Sequence, residues 1–434
     1  MNLSERIRNI GFWGTDLLMG GAVLKNLKEL TSFSSNSSLM RKTSSIRLKE
    51  LLKHACETTN FYKNYKGKTD LGEFPVIGKN VIRQYYNDFL SNKYEENSLI
   101  KVTTSGSYGT PFTFLLSKHK KKRQFSEVVF FNSWVDYKIG MKHVLIGAKD
   151  RSRINMLLQN KIFMKPTELD ISWLEQQRKT LLEKGVKTII GYPSVIKALA
   201  EFCKSKGDTA ANFNITGIIA TSEPLYEETR EIAEKIFGCA VVGRYASEEL
   251  GVIAHECIQE RNYHLNEASY KIELLAIDED RPVTRGELGR VVVTDLYSHA
   301  MPLIRYDTGD LAVLKENFKC KCGFDSPVFE RIEGRNVEII YNTSGIRISP
   351  FAINSTMRDI NHVFQFQFIQ KNASLYILRL SVLDSYIKGE TESIILTRLK
   401  NVLGNDAEII LEYTSTIPPL KSGKRPYIIS EYKK

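Results

Sequence analysis

Three groups of side chains in this 434-residue sequence have types and spacings suited to chemistry. The first is Thr103-Thr104-Ser105-Gly106-Ser107-Tyr108-Gly109-Thr110-Pro111, placed directly after alternating apolar and polar residues at 99–102. Glycines let main-chain N–H groups approach an anion closely, and the hydroxyls of Thr104, Ser105 and Ser107 add uncharged donors. Such a loop can hold phosphate, although Gly/Ser loops more often serve as turns. It is not a Walker A loop, because no Gly-Lys-Ser/Thr follows at the required spacing. The second group joins Cys257-x6-His264 to Cys320-Lys321-Cys322-Gly323, three sulfurs and an imidazole suited to a tetrahedral structural zinc. The spacing is not that of a common finger, so buried inert thiols compete with zinc, and His255 competes with His264 as ligand. The third group is a scatter of carboxylates, Glu223, Glu249 and Asp310, with Lys424 near the end of the chain. Alone, these read as loop, turn and tail residues.

The elements that must position these residues are legible in the periodicity. Leu48, Leu51, Leu52 and Ala55 recur at helical spacing within residues 45–64. Residues 74–77 read as a short extended piece before a helix over 81–89, residues 112–117 as the second strand of a hairpin, and 124–137 as an aromatic-rich helix. From residue 142 strands alternate with helices, which predicts a mainly parallel sheet with helices on its faces. Loops after the strands of such a sheet gather at its carboxyl edge, so Tyr192, Ser222, Glu223, Pro224, Tyr245 and Glu249 are predicted neighbours. After Gly251 short strands separated by turns predict an antiparallel sheet or partial barrel. From near Gly334-Arg335 a hairpin, a helix over 390–403 and a strand over 408–413 predict a small α+β unit.

An apolar fraction of 42% with 26% charged residues is that of a globular chain of two or three domains. The formal charge of +11 suits nucleic acid, a membrane surface or anionic small substrates. Basic residues are nevertheless spread along the chain, which argues against a nucleic-acid module. The one dense run, 118–123, reads as a solvated surface or helix start. No stretch reaches the ~18 apolar residues of a membrane span. Residues 10–24 come nearest, but carry Asp16 and lack a cleavage site, so a packed N-terminal helix is expected instead of a signal peptide. A helix lying on a membrane surface is the alternative. Six cysteines without regular spacing predict no disulfide framework and a reducing cytoplasm, with Cys56, Cys203 and Cys239 in the core.

Taken in order, the motifs resemble those of the adenylate-forming enzymes, specifically the phenylacetate–CoA ligase-like branch that includes capsular-polysaccharide-cluster (CapK-like) proteins. The resemblance runs from residues 48–65 to Lys424. It implies an α/β fold. A large adenylation (AMP-binding) domain of several subdomains, with parallel sheets and a small antiparallel sheet or barrel, would span 1–335, and a mobile α+β domain 336–434. It implies that Thr104, Ser105, Gly106, Ser107, Gly109 and Thr110 close over the ATP phosphates, and that Ser222-Glu223-Pro224 lines the adenine pocket. Tyr245-Ala246-Ser247-Glu248-Glu249 is similar to the family's Tyr-Gly-x-Ser/Thr-Glu, with Ala246 replacing the glycine and Glu248 the hydroxyl residue. By that likeness Tyr245 stacks near adenine and Glu249 helps hold Mg²⁺, a hard cation that prefers carboxylate oxygen.

Arg305-Tyr306-Asp307-Thr308-Gly309-Asp310 resembles the family's Arg-Tyr-x-Thr-Gly-Asp, in which the last aspartate accepts from both ribose hydroxyls. Gly334-Arg335 matches the Gly-Arg that ends the large domain, placing Arg335 on the nucleotide side, and Val337-Glu338 stands where the family has an acidic hinge pair. Lys424 falls on the catalytic lysine, which domain closure brings to the charge that builds on the α-phosphate. Tyr192 and Ala246 are placed at the acyl pocket, with Phe125 and Tyr137 as further candidates, and Tyr108 is bulkier than the family's residue. Some members share the Cys…His…Cys-x-Cys-Gly arrangement, which favours structural zinc on Cys257, His264, Cys320 and Cys322. The implied activity is ATP-dependent conversion of a carboxylic acid to an acyl-adenylate, then acyl transfer to coenzyme A. Transfer to a sugar amine or carrier-protein thiol in polysaccharide biosynthesis, and a non-catalytic binding relative, are the alternatives. The resemblance leaves room for a homodimer.

Overall fold

The computed structural model describes residues 1–104, 112–147, 152–166, 170–316, 318–335, 340–348, 352–353, 356–357, 360, 363–382, 386–418 and 426–432. Three helices open the chain: α1 (Leu3–Leu18), α2 (Ala22–Ser35) and α3 (Ser37–Thr58). Their first amides are satisfied by side chains, Asn2 accepting from Glu5 N, Asp16 from Val23 N and Leu24 N, and Asn36 from Leu39 N. The helical spacing of Leu51, Leu52 and Ala55 buries all three in a core with Tyr62, Phe74 and Phe89. An extended piece then leads into α4 (Lys79–Gln84), followed by a hairpin of β1 (Ile100–Thr104) and β2 (Phe112–Leu116) with Thr104 opposite Phe112.

Next comes α5 (Lys118–Asn132), which starts at the basic run. A helix start was one expectation for that run, but solvation fails for two of its residues. Lys120 and Arg123 are 0% exposed. Lys120 Nζ lies 2.7 Å from Asp295, and Arg123 donates to Glu29 at 2.7 Å and Ser269 at 2.9 Å. Charges removed from water need such partners, and removing one would cost about 3–5 kcal/mol.

The chain then builds β3 (His143–Ile146), α6 (Arg153–Leu158), β4 (Lys161–Met164), α7 (Ile171–Glu183), β5 (Thr188–Gly191), α8 (Pro193–Ser205), β6 (Gly217–Thr221), α9 (Glu227–Phe237) and β7 (Ala240–Ser247). The five strands lie in the order β4-β3-β5-β6-β7 and pair in parallel, as the alternation with helices dictates. No helix separates β7 from β8 (Gly251–Glu256), so β8 returns antiparallel. It is followed by β9 (Tyr263–Leu265), β10 (Tyr270–Leu275), β11 (Leu288–Asp295), β12 (Tyr306–Leu314) and β13 (Val328–Arg335). The expected antiparallel region is therefore a continuation of the parallel sheet, in the order β7-β8-β9-β13-β12-β11-β10.

The small unit comprises β14 (Ile340–Tyr341), β15 (Arg347–Ile348), β16 (Val363–Gln370), β17 (Leu375–Val382), α10 (Glu390–Leu403), β18 (Glu408–Tyr413) and β19 (Ile428–Ser430). Its four-stranded sheet, β18-β17-β16-β19, packs Phe368, Tyr376, Leu378 and Leu380 against Ile395, Leu399 and Leu403 of α10. Hairpin, helix and strand stand where their periodicity places them.

Candidate active site

The antiparallel half of the sheet brings two signature segments together. The β11–β12 register passes from Arg290 opposite Leu311 to Val292 opposite Asp307, so Thr308-Gly309-Asp310 bow out against Val291. A bulge of this kind re-aims side chains. Gly309 supplies its positive φ of +76°, and Asp307 Oδ1 accepts Gly309 N at 2.8 Å. Tyr245, on β7, donates to Asp310 Oδ2 at 2.7 Å and to Thr308 Oγ1 at 3.2 Å. Burial and then the Asp310 charge push the Tyr245 phenol well above its ordinary range, so it remains a donor.

Glu249, just beyond β7, is 3% exposed. Its Oε1 accepts from the Tyr306 hydroxyl at 2.8 Å and lies 3.4 Å from Lys79 Nζ. Burial, the largest influence, raises the carboxyl's pKa, but Lys79, the local backbone and Tyr306 outweigh it and hold it below the ordinary range. Lys79 reaches the site because Ile77 pairs with β12, donating to Arg305 O at 3.0 Å and accepting from Asp307 N at 2.8 Å. Arg305 fixes that segment from behind, donating to Phe74 O at 2.9 Å while it pairs with Glu273 at 3.3 Å. The arginine that opens the Arg-Tyr-x-Thr-Gly-Asp run is thus a brace. Neither Lys79 nor Tyr306 was singled out by sequence as a contact of Glu249. The available signal was the extended segment ending in Gly78-Lys79.

On the parallel half, Glu223 Oε2 accepts Ser194 N at 3.1 Å, which joins the loop after β6 to the start of α8. Ser222 takes φ +74°, strained for a residue with a Cβ, where the chain leaves β6. Pro224 and Ala246 are half-buried, whereas Tyr192 is buried at the N-cap of α8. The predicted gathering of these loops is observed for the Tyr192–Ser194 and Glu223 segments, whereas Tyr245 lies on β7 and meets β12. Phe125 packs against Phe12 with ring centres 5.6 Å apart, and Tyr137 against His143 at 5.2 Å, so both serve packing. Thr104 ends β1, and Arg335 lies opposite Asp310 in the β12–β13 register. Ser105, Gly106, Ser107, Tyr108, Gly109, Thr110, Val337, Glu338 and Lys424 lie outside the described residues.

The ligand atoms of Cys257, His264, Cys320 and Cys322 all lie within 4.8 Å of one another. Cys257 Sγ is 3.5 Å from Cys320 Sγ, and Cys322 Sγ is 3.3 Å from His264 Nε2. A zinc tetrahedron with bonds of about 2.3 Å has edges of about 3.8 Å, so the donor set fits that ion. His264 Nδ1 meets Ser326 Oγ at 3.1 Å, which orients the ring with Nε2 toward the sulfurs. Burial raises the Cys257 thiol, yet hydrogen bonds led by His264 bring it below the ordinary thiol range. His255 stands aside, stacked on Phe131 at 5.3 Å with Nδ1 2.8 Å from Glu256 O. Cys56 and Cys203 are buried and Cys239 half-buried, all outside this group.

The continuous mixed sheet followed by a small α+β unit is an architecture this chain shares with solved acid–CoA ligases. The chain aligns with 2-hydroxyisobutyryl-CoA ligase, solved in the postadenylation state in complex with 2-HIB-AMP, at a TM-score of 0.74 and 17% identity, covering 91% of this chain and 89% of that one. Its homologues are CapK and phenylacetate–CoA ligases. It is 24% identical to Protein CapK of Staphylococcus aureus over 407 residues, 89% of this chain and 88% of the relative. It is 25% identical to the phenylacetate-coenzyme A ligase of Thermus thermophilus over 345 residues, 73% of this chain and 75% of the relative. Residues 340–431 match the family of the CapK C-terminal domain.

Proposed function

We propose that this chain is an AMP-forming ligase that activates a carboxylic acid with ATP, releases pyrophosphate and passes the acyl group to coenzyme A. The observation that carries the reading is two acidic centres brought to one site, Asp310 of β12 held by Tyr245 and Glu249, just beyond β7, held by Tyr306 and Lys79. Asp310 is an acceptor-only group suited to ribose hydroxyls. Tyr245 beside it offers an aromatic face to adenine, and Ser222, Glu223 and Pro224 form the opposite wall. Glu249 is the carboxylate for Mg²⁺, a cation bound through one or two carboxylates plus substrate phosphates. When bound, Mg²⁺ offsets phosphate charge. Thr104, Ser105, Gly106, Ser107, Gly109 and Thr110 supply phosphate donors, Lys424 the mobile cation, and Tyr192 with Ala246 the acyl wall.

In this reading the domains are 1–335 and 336–434, the second turns between half-reactions, and zinc on Cys257, His264, Cys320 and Cys322 braces the first without entering the chemistry. The enzyme works in the cytoplasm. A second acceptor, a sugar amine or carrier thiol in polysaccharide biosynthesis, is favoured by the match of residues 340–431 to the CapK C-terminal domain. Pyrophosphate release across a panel of carboxylic acids tests the activation step. Acid-dependent release supports it, and no ATP binding with no turnover on any acid overturns it. Product masses formed with coenzyme A and, separately, with amines decide the acceptor.

A further inference from the structure

Helix α1 is inside out. Leu3, Ile7, Ile10 and Leu18 are 74, 61, 71 and 92% exposed, and Leu17 joins them on the same face at the spacing of one helical stripe. Glu5, Asn9 and Asp16 face the protein instead, together with Phe12, which packs on Phe125. Glu5, 2% exposed, accepts Lys142 N at 3.0 Å and caps the helix's own start, while Asn9 donates to Ile139 O at 2.9 Å. Asp16, 7% exposed, accepts the first amides of α2.

The seat is built for close contact. Gly140, with φ +93°, lies so near the helix that a Cβ would collide with Glu5 O and Asn9 N. The outward apolar stripe is therefore set by a specific polar docking, and rotating α1 to bury it would strand Glu5, Asn9 and Asp16. The stripe is also extended sideways. Arg8 donates to Leu157 O, which fixes α6 beside α1, and there Ile154 and Leu157 are 71% and 69% exposed.

Charge indicates what covers this face. Both acids of α1 are turned inward, α6 has none, and Arg6 and Arg153 are exposed beside the apolar residues. A two-fold contact between copies would place these arginines in one shared interface with no acid from either helix to oppose them. An anionic phospholipid surface answers both features, taking the apolar side chains among its acyl chains and the arginines at its headgroups. We infer that α1 and α6 form a peripheral docking face for an anionic membrane surface, which holds the chain at the bilayer without a span.

Sedimentation of the full chain with phosphatidylglycerol and with phosphatidylcholine vesicles, beside its sedimentation velocity without lipid, tests this. A monomer that binds phosphatidylglycerol at least about tenfold better than phosphatidylcholine is expected, with the preference lost in high salt. Ile7→Ser combined with Ile10→Ser should lower binding to both vesicles by about tenfold or more. Arg6→Glu should lower only the phosphatidylglycerol preference. Unchanged melting temperatures and circular dichroism identify folded variants. Absence of binding by the wild-type chain, binding indifferent to these substitutions, or a lipid-free dimer that Ile10→Ser dissociates would each overturn the inference.

Discussion

A carboxylate taken out of water stays ionised only where something holds the charge, and at Glu249 that is Lys79, the local backbone and Tyr306 acting against burial. Lys79→Met removes the largest of the lowering influences while leaving Tyr306 in place. The Glu249 pKa should then rise, and the acid limb of the kcat/KM profile should move to higher pH, because protonation of the carboxylate would begin sooner as pH falls. A profile that keeps its acid limb, whatever its height, would show that Lys79 does not govern Glu249. The motifs around Glu249 and Asp310 were legible because each is local, a strand end or a turn whose glycine and acid are consecutive. Lys79 was not, because its contact depends on Ile77 pairing with β12, a long-range choice that no nearby residue announces.

At the scale of elements, the weak point of the large sheet is the seam between β9 and β13. It carries the pairs Val328 with His264 and Phe329 with Tyr263, and one bond beyond them, Leu265 N donating to Pro327 O at 2.9 Å. The Cys/His group sits at this seam. Cys257 follows β8, His264 is on β9, and Cys320 with Cys322 belong to the connection into β13. Four protein ligands would staple the seam, since metal binding that assembles separate segments contributes directly to folding. Protein purified without a metal column should carry one zinc per chain. Cys320→Ser with Cys322→Ser should lose it and lower the melting temperature, with a destabilisation on the order of several kcal/mol. Metal-free protein with unchanged melting would remove zinc from the structure's account. The ligand types were readable from sequence, where the choice of His264 over His255 rested on resemblance, and the structure groups His264, not His255, with the three cysteines. Burial of Lys120 and Arg123 was hidden, because a run of like charges shows nothing of distant partners such as Asp295 and Glu29.

The whole molecule divides where the small domain meets α8 and α9. Tyr427 stacks edge-on against Tyr226 with ring centres 5.5 Å apart, and a cleft beside them is lined by Ser194, Lys197, Glu201, Phe366 and Tyr427. Burial lifts the Glu201 carboxyl to about 7 despite Lys197 beside it. The periodicity of residues 364–413 announced a separate α+β unit, but this contact was not legible, since Tyr226 and Tyr427 both read as ordinary aromatic residues near loops. Tyr226 lies two residues beyond Pro224, at the candidate adenine wall, and Tyr427 three residues beyond Lys424 in sequence. The pair therefore ties the small domain to the loop proposed to hold adenine. An aromatic pair is worth about 0.5–1.5 kcal/mol beyond its buried area, enough to shift an arrangement of domains by about two- to twelvefold. Tyr427→Ala should then slow ATP–pyrophosphate exchange by about that factor. In the proposed reading acyl transfer uses another arrangement, so its rate from supplied acyl-adenylate should be kept. Equal losses in both half-reactions would assign Tyr427 to the stability of the small domain and not to its placement.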